Sequence, residues 1–474
     1  MPLPDHKTKI VATIGPASDS PAMLERLLRA GMNVARLNFS HGDFASHRER
    51  IRRLRNAERA TGRRVAIMAD LPGPKMRVGR IDPEPVELEP GRPFVLTTDP
   101  ALGNAHRVSV SFLTLPKVVR PGDHLFLNDG LIHLEVERIT GPDVSCRVVV
   151  GGELRSRKGL NLPGIALGIS AFTDDDRRCL EFALAEGVDA VSQSFVENAA
   201  DIEAVRSAAA ALGHRPFLVA KIERSGALRH LDEILAAADG IMVARGDLGV
   251  EVPIERIGIT QKDLLARANL AGKPVITATQ MLESMVSSRI PTRAEATDVA
   301  NAILDGTDAV MLSAESAMGR FPEESVAMLA RIAAVTESRR PMARLRGLQE
   351  RCGDPGVPPW SGFAEVVEQA LSGVPCVAAL VPTVSGTTAR LIARLKPAVW
   401  VAALSPERTA CQALQFSYGV HPIELREEPD DWRAFAADWT RENGLRGDCV
   451  LLVAGPSLRH PGAHHRLEFV PLPH

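Results

Sequence analysis

The sequence predicts an α/β protein: a closed barrel of eight parallel strands, a (β/α)8 or TIM barrel, with a small all-β domain inserted into it and a further α/β domain behind it. Three observations carry this. Four apolar runs, FLVAKIE, IMVARGDLG, VITATQMLES and VMLSAES, each end on charged or hydroxyl side chains, as buried strands do when they stop at a functional rim. Strand-like and helix-like segments alternate on both sides of residues 71–158. Inside 71–158 the alternation gives way to short runs of period two, broken by turn signals.

The elements follow in order. TKIVATIG, MNVARLNF and VAIMADL read as three strands, and PAMLERLLRA and ASHRERIRRLRNAERA between them have helical apolar spacing. Residues 1–70 are therefore the first part of the barrel. HRVSVSF, DHLFLNDG, LIHLEVERI and VSCRVVVGG, punctuated by PG, DG, GP and GG, make 71–158 an inserted β domain. VDAVSQSF, FLVAKIE, GIMVARGDLG, PVITATQ and DAVMLSAES supply five more strands, so 159–340 completes the eight. An open doubly wound sheet is the alternative for the same pattern. RRPMARLRGLQERCGDPGVPPW reads as a linker. CVAALVP, VWVAALSP, HPIEL and DCVLLVAG are the strands of a C-terminal α/β domain within 341–474.

Composition narrows the function. The formal net charge is −2, so nothing draws the whole chain to nucleic acid or to a membrane surface. No apolar run approaches the roughly 18 residues of a spanning helix, and MPLPDHKTKI lacks the apolar centre of a signal peptide. The six cysteines form no CxxC pair, which suits a reduced, cytoplasmic protein. Basic residues are 47 Arg against nine Lys, so a Lys at a strand end is a chemical choice more than a surface habit.

The strand ends carry candidate chemistry. Alternation puts Lys221 and Glu223 on one side of their strand, and Asp247 ends the next. Two carboxylates on neighbouring strand ends suit Mg2+ (or Mn2+), and a lysine beside them suits charge on a transferring phosphoryl group. An ion-pair network closing the barrel is the structural alternative. Gly246 precedes Asp247 where a helix opens, which suits an anion near free N–H groups or, alternatively, a simple turn. Thr279, Ser313 and Glu315 end two further strands and offer groups that relay a proton or orient water. Arg36, Asn38 and Ser40 share a face at the end of the second strand, and Asp70 ends the third; Arg36 suits a phosphate clamp. His41 follows them, and a histidine so placed is more often solvated or packed than catalytic. In the C-terminal unit, Thr383, Ser385, Gly386, Thr387 and Thr388 form a small-residue loop opening a helix, a phosphate cradle or an ordinary cap.

Together TKIVATIGPAS, MNVARLNFSHG, GPKMR, KGLNLPG, AKIE, GIMVARGDLGVE, AGKPVITATQMLESM and PTRAEATDVANAILDGTDAVMLSAES resemble the pyruvate kinase family, in order and across the barrel. The resemblance implies transfer of the phosphoryl group of phosphoenolpyruvate to ADP, giving pyruvate and ATP. It implies that Glu223 and Asp247 hold the divalent metal. Arg36 and Lys221 would contact the phosphoryl group, and Gly246, Asp247 and Thr279 the substrate carboxylate. Thr279, with Ser313 and Glu315, would lie on the proton path. Asn38, His41, Arg77 and Lys158 would face the nucleotide phosphates, with the β domain closing as a lid. A homotetramer and a regulatory C-terminal domain follow from the same resemblance.

The chain departs from the family at two places. Where the common motif is close to DTKGPEIRTG, it reads DLPGPKMRVG. Leu71 removes a hydroxyl and Lys75 replaces an acid at a K+ site otherwise formed by Asn38, Ser40 and Asp70. This set of changes resembles the potassium-independent branch, which implies Lys75 as the replacement for K+ and no K+ requirement; a surface lysine beside a working K+ site is the alternative. The end AGPSLRHPGAHHRLEFV lacks the Gly- and Thr-rich finish that grips a second phosphate, which implies a monophosphate effector or none. Two competing readings remain: a lyase sharing the enolate chemistry, against which Arg36, Lys221, Arg77 and Lys158 argue, and a non-catalytic regulator, against which Glu223 and Asp247 argue.

Overall fold

The computed structural model describes residues 3–340, 362–455 and 465–473. Its centre is a closed barrel of β1 (Lys9–Thr13), β2 (Val34–Asn38), β3 (Ala66–Leu71) and, after the insertion, β12 (Ala190–Gln193), β13 (Phe217–Ile222), β14 (Gly240–Ala244), β15 (Val275–Ala278) and β16 (Ala309–Leu312). Neighbouring strands pair in parallel, and β1 closes the ring by pairing with both β16 and β2. Three strands precede the insertion and five follow it, as the alternation predicts.

Each strand is buried on both faces because helices cover the outside and side chains fill the inside. The helices start and stop on local signals. Pro21–Ala30 is capped by Ser20, has proline in its first turn and ends on Gly31 at φ 121°; Phe44–Thr61 opens on an Asp43 capping box and ends on left-handed Gly62. The barrel interior holds Val11, Val34, Met68, Val219, Met242, Ile276 and Met311, in register with the polar residues nearer the rim. Phe416 from the C-terminal domain plugs the opposite end, its ring stacked on Phe217 at 4.9 Å.

The insertion leaves β3 at Pro72. Its strands are β4 (Val86–Leu88), β5 (Pro93–Thr97), β6 (Arg107–Ser109), β7 (His124–Leu127), β8 (Ile132–Thr140), β9 (Asp143–Val150), β10 (Gly152–Leu154) and β11 (Leu160–Asn161). Six form one sheet, in the order β11-β7-β8-β9-β5-β6, and β10 pairs with β4. The domain has its own core around Phe94, Leu125, Val136 and Cys146. Pairing within it continues to Asn161, so the sheet runs past the expected boundary at Lys158. The β7–β8 turn uses Asn128, Asp129 and Gly130, all at positive φ, as the DG signal demands.

The C-terminal domain is a sheet in the order β19-β18-β17-β20-β21, comprising β17 (Ala378–Pro382), β18 (Trp400–Ser405), β19 (Val420–Glu424), β20 (Cys449–Ala454) and β21 (Arg466–Pro471). The fifth strand is antiparallel and largely exposed; its alternation covers only RLEF before Val470 and Pro471 break it, too short a run to stand out in the sequence. The C-terminal domain as a whole is fastened to the barrel by Lys396 to Asp308 at 2.7 Å and Lys9 Nζ to the Val420 carbonyl at 2.7 Å. The expected linker at 341–361 and the segment at 456–464 lie outside the described residues.

Candidate active site

Side chains alternate along a strand, so the inward positions nearest the C-terminal rim are Thr13 on β1, Arg36 on β2, Asp70 on β3, Ser192 on β12 and Lys221 on β13. Two residues below them the inward positions are apolar; at the rim they are charged or carry hydroxyls. Arg36, Asp70, Lys221 and Glu223 are each less than a tenth exposed. Buried charges persist only when paired and hydrogen-bonded, and here every one is.

Asp70 is the hub. Arg36 donates to its Oδ2 through Nε at 2.9 Å and through Nη2. Ser192 donates to Oδ1 at 2.7 Å, and Lys221 Nζ lies 3.3 Å from Oδ1. Burial alone would raise its pKa, but the charges of Lys221 and Arg36 outweigh burial and hold it at about 2. Arg36 also donates to Thr13 Oγ1 at 2.9 Å. Lys221 reaches Ser194 Oγ at 2.6 Å and Glu223 Oε1 at 2.8 Å. Burial opposes its charge, but Asp70 and Glu223 raise its pKa, so it stays an ammonium.

Glu223 is fixed from its other oxygen by the Phe195 N–H at 2.7 Å, and Phe195 itself sits at φ 59°. Burial lifts the Glu223 carboxyl to about 7; Lys221 opposes the rise and the charge of Asp247 adds to it. Asp247, on the short helix Arg245–Glu251, is likewise raised, first by burial and also by Asp129. Two carboxylates that both resist ionisation even with the Lys221 charge nearby form a donor set that fits a divalent cation, which would take its remaining ligands from water and substrate oxygens.

A cavity of about 360 Å³ opens between the barrel rim and the inserted domain. Its wall includes Arg36, Asn38, Ser40, Asp70, Lys75, Arg77, Asp129, Arg157, Lys158, Lys221, Glu223 and Asp247. Arg77 and Lys158, 81 residues apart in the chain, come together because Arg77 bridges Gly159 and the Val78 N–H donates to the Lys158 carbonyl. Six of these wall residues are cationic and four are acidic, an excess suited to phosphate. Asn38 Oδ1 accepts the Ser40 N–H at 3.1 Å. Lys75 is partly buried; burial, Arg77 and Lys221 push its pKa down to about 8, while Asp70 and Asp247 favour its charge.

Thr279 lies beside this wall. It holds a left-handed φ of 67°, a costly conformation for a β-branched residue, worth about 1–3 kcal/mol. The Gly246 N–H donates to its Oγ1 at 2.7 Å, and Arg245 donates to its carbonyl at 2.8 Å while pairing with Asp298. The Thr279 hydroxyl in turn donates to the Ala278 carbonyl at 2.6 Å, so a ligand oxygen at this point would take the place of one of these two bonds. Ser313 and Glu315 are arranged differently. Glu315 is fully buried and accepts the Leu282 and Ser313 N–H groups at 3.1 and 2.7 Å, so both of its oxygens tie loops together. His41 is exposed and outside the cavity wall, and its carbonyl accepts from His47. In the C-terminal loop, Thr383 Oγ1 accepts the Gly386 N–H, Gly386 takes φ 78°, and Ser385 and Thr387 hydroxyls meet at 2.9 Å; Thr388 continues the helix Thr387–Ala393.

Residues 5–326 match the family model described as the pyruvate kinase barrel domain, and residues 363–467 match the pyruvate kinase alpha/beta domain. The chain belongs to the pyruvate kinase family. A pyruvate kinase of Thermococcus litoralis is 49% identical over 462 residues, covering 96% of this chain and 93% of the relative. One from Methylorubrum extorquens is 41% identical, covering 99% and 98%. A crystal structure of a pyruvate kinase from Cryptosporidium parvum superposes with a TM-score of 0.92 at 35% identity, over 98% and 97% of the two chains. The chain is thus a phosphotransferase, and the family implies use of a divalent metal. Among the described residues no helix is long and apolar enough to cross a membrane.

Sequence reasoning did not single out Thr13, Ser192, Ser194, Asp129 or Arg157 at this pyruvate kinase site. The two serines were legible in VSQSF, where alternation sends both inward. Asp129 was not, because a hairpin turn of the inserted domain carries it to the barrel rim.

Proposed function

We propose that this pyruvate kinase family member moves the phosphoryl group of phosphoenolpyruvate to ADP, forming pyruvate and ATP, without requiring K+. The observation that carries the reading is the cluster of Arg36, Lys221, Glu223 and Asp247 at one wall of a cation-rich cavity. Glu223 and Asp247 would hold the divalent metal, Mg2+ or Mn2+, which when bound supplies positive charge against the phosphoryl oxygens. Arg36 and Lys221 bring two further positive charges to the transferring group. Neither must reorganise, since Asp70 already fixes both. Gly246, Asp247 and Thr279 grip the substrate carboxylate. Thr279, near Ser313, hands a proton to the enolate carbon, and Glu315 acts by holding the Ser313 backbone. Arg77, Lys158 and Asn38 face the nucleotide phosphates, with His41 at the outer edge. The β domain closes over them and excludes water.

Independence of K+ rests on Lys75. Its ammonium lies in the cavity with Asn38, Ser40 and Asp70, where the field of Asp70 favours a monovalent charge, and Leu71 offers no oxygen. The Thr383–Thr388 loop would take a single phosphate, as a monophosphate effector, and the assembly would be a homotetramer in the cytoplasm. The test is pyruvate formation from phosphoenolpyruvate and ADP with Mg2+. Turnover supports the reading; none, with AMP or sugar monophosphates also present, overturns it.

A further inference from the structure

The chain returns from the inserted domain to the barrel through Leu162–Ile165, directly after β11. Two residues that follow Glu223 fasten this segment. Arg224, only 2% exposed, donates through Nη2 to the Ile165 carbonyl at 2.7 Å and the Leu162 carbonyl at 3.4 Å. Its Nε pairs with Glu197 at 3.0 Å. Ser225 Oγ accepts the Gly164 N–H at 3.2 Å. The same Ser225 donates, from its N–H and its hydroxyl, to Glu251 Oε2 at 3.2 Å each. Glu251 is buried and ends the short helix whose second and third residues are Gly246 and Asp247. The Arg224 charge favours the ionised form of Glu251 against burial.

A continuous hydrogen-bonded chain therefore runs from the return segment, through Arg224 and Ser225, to both carboxylate-bearing elements. A cavity of about 100 Å³ beside it, lined by Gly164, Ile165, Glu197 and Arg224, leaves room for the segment to shift. We propose that Arg224 and Ser225 are positioning residues that couple the inserted domain to the Glu223–Asp247 pair, so that the return segment and the two carboxylates move together. The proposal rests on the reading of that pair as the metal site. Neither residue touches the reacting groups. They act by placing Glu223 and Asp247, and displacements of about 1 Å at a catalytic group can cost on the order of 100-fold in rate.

The test uses the full chain with Arg224→Gln, Arg224→Lys and Ser225→Ala, read by hydrogen exchange over residues 162–165 and by steady-state kinetics. Arg224→Gln should speed exchange there by tenfold or more and lower kcat by tenfold or more, with KM for phosphoenolpyruvate changed less than threefold. Arg224→Lys, which keeps the charge but loses the planar fork, should recover part of both. Ser225→Ala, which leaves the buried arginine in place, should shift both in the same direction if Arg224→Gln does not fold. Unchanged exchange at 162–165, or kcat within twofold of the parent in Ser225→Ala and any folded Arg224 variant, would overturn the proposal. Mn2+ binding to Glu223→Gln, followed by electron paramagnetic resonance, separates the two ideas: parental affinity there would defeat the metal reading itself, whatever the exchange data show.

Discussion

Lys221 and Glu223 leave β13 and its end at alternate positions, and the Lys221 ammonium and the Glu223 carboxyl meet at 2.8 Å inside the barrel rim. The same ammonium lies 3.3 Å from Asp70, which fixes Arg36. One buried lysine is thus shared between a carboxylate that positions the phosphoryl clamp and a carboxylate placed to hold a metal. Replacing Lys221 with Ala should lower kcat by roughly 10³–10⁵, the scale of a lost transition-state cation in phosphoryl transfer. Steady-state pyruvate formation measures this, and a loss below tenfold would contradict the role.

Metal binding should depend on pH. Glu223 in the folded, metal-free protein holds its proton up to about pH 7, and the ion must displace it. Affinity for Mn2+ should therefore be flat above that pH and fall by about tenfold per unit below it. Linkage gives the matching stability effect: a carboxyl raised on folding stabilises the fold at low pH, and that contribution is lost between the unfolded value and about 7. Titration of Mn2+ by electron paramagnetic resonance from pH 5.5 to 8.5 would show a pH-independent affinity if the carboxyl were ordinary.

Asp70→Asn should destabilise the protein without emptying the cavity. It leaves Arg36 and Lys221 buried with a neutral partner, and breaking a buried pair costs about 3–5 kcal/mol. Because Asp70 is depressed to about 2, its contribution in the parent is present above the unfolded value and is lost as pH falls toward 2. Chemical denaturation at pH 7 and at pH 3 should show the gap between parent and variant narrowing in acid; an equal gap at both would refute the pairing argument.

Thr279→Val should separate proton delivery from phosphoryl transfer. Positioned acid–base groups contribute about 10²–10⁴ in rate. The variant should slow exchange of the pyruvate methyl hydrogens with solvent by that order, whereas Thr279→Ser should retain most of it. Parental exchange in the valine variant would remove Thr279 from the proton path.

Lys75→Ala should create a need for K+. In sodium buffer turnover should fall at least tenfold, and added K+ should recover most of the loss, because Asn38, Ser40 and Asp70 still offer oxygens. Failure of K+ to recover any activity would point to a different task for Lys75.

Much of this was legible in the residues. Barrel strands alternate, so Arg36, Lys221 and Glu223 announced their inward direction, and strand ends rich in charge announced the rim. Arg77 and Lys158 could be brought together only through the family resemblance, since the Arg77–Gly159 bridge depends on how the insertion folds. Glu315 stood in the sequence beside Thr279 and Ser313 as a group that could orient water, yet its two oxygens are spent on backbone N–H groups. Strand alternation sets the side a residue faces; it does not tell which hydrogen bonds it finds there. Arg224 was invisible for a related reason: its partners in the return segment are carbonyls, which any residue supplies.

The most direct measurement is turnover of phosphoenolpyruvate and ADP with Mg2+ in sodium buffer, then again with added K+. The account predicts robust pyruvate formation in sodium and less than a twofold change on adding K+. Turnover that appears only with K+ would contradict the role given to Lys75, and no turnover in either would contradict the phosphoryl-transfer site built on Arg36, Lys221, Glu223 and Asp247.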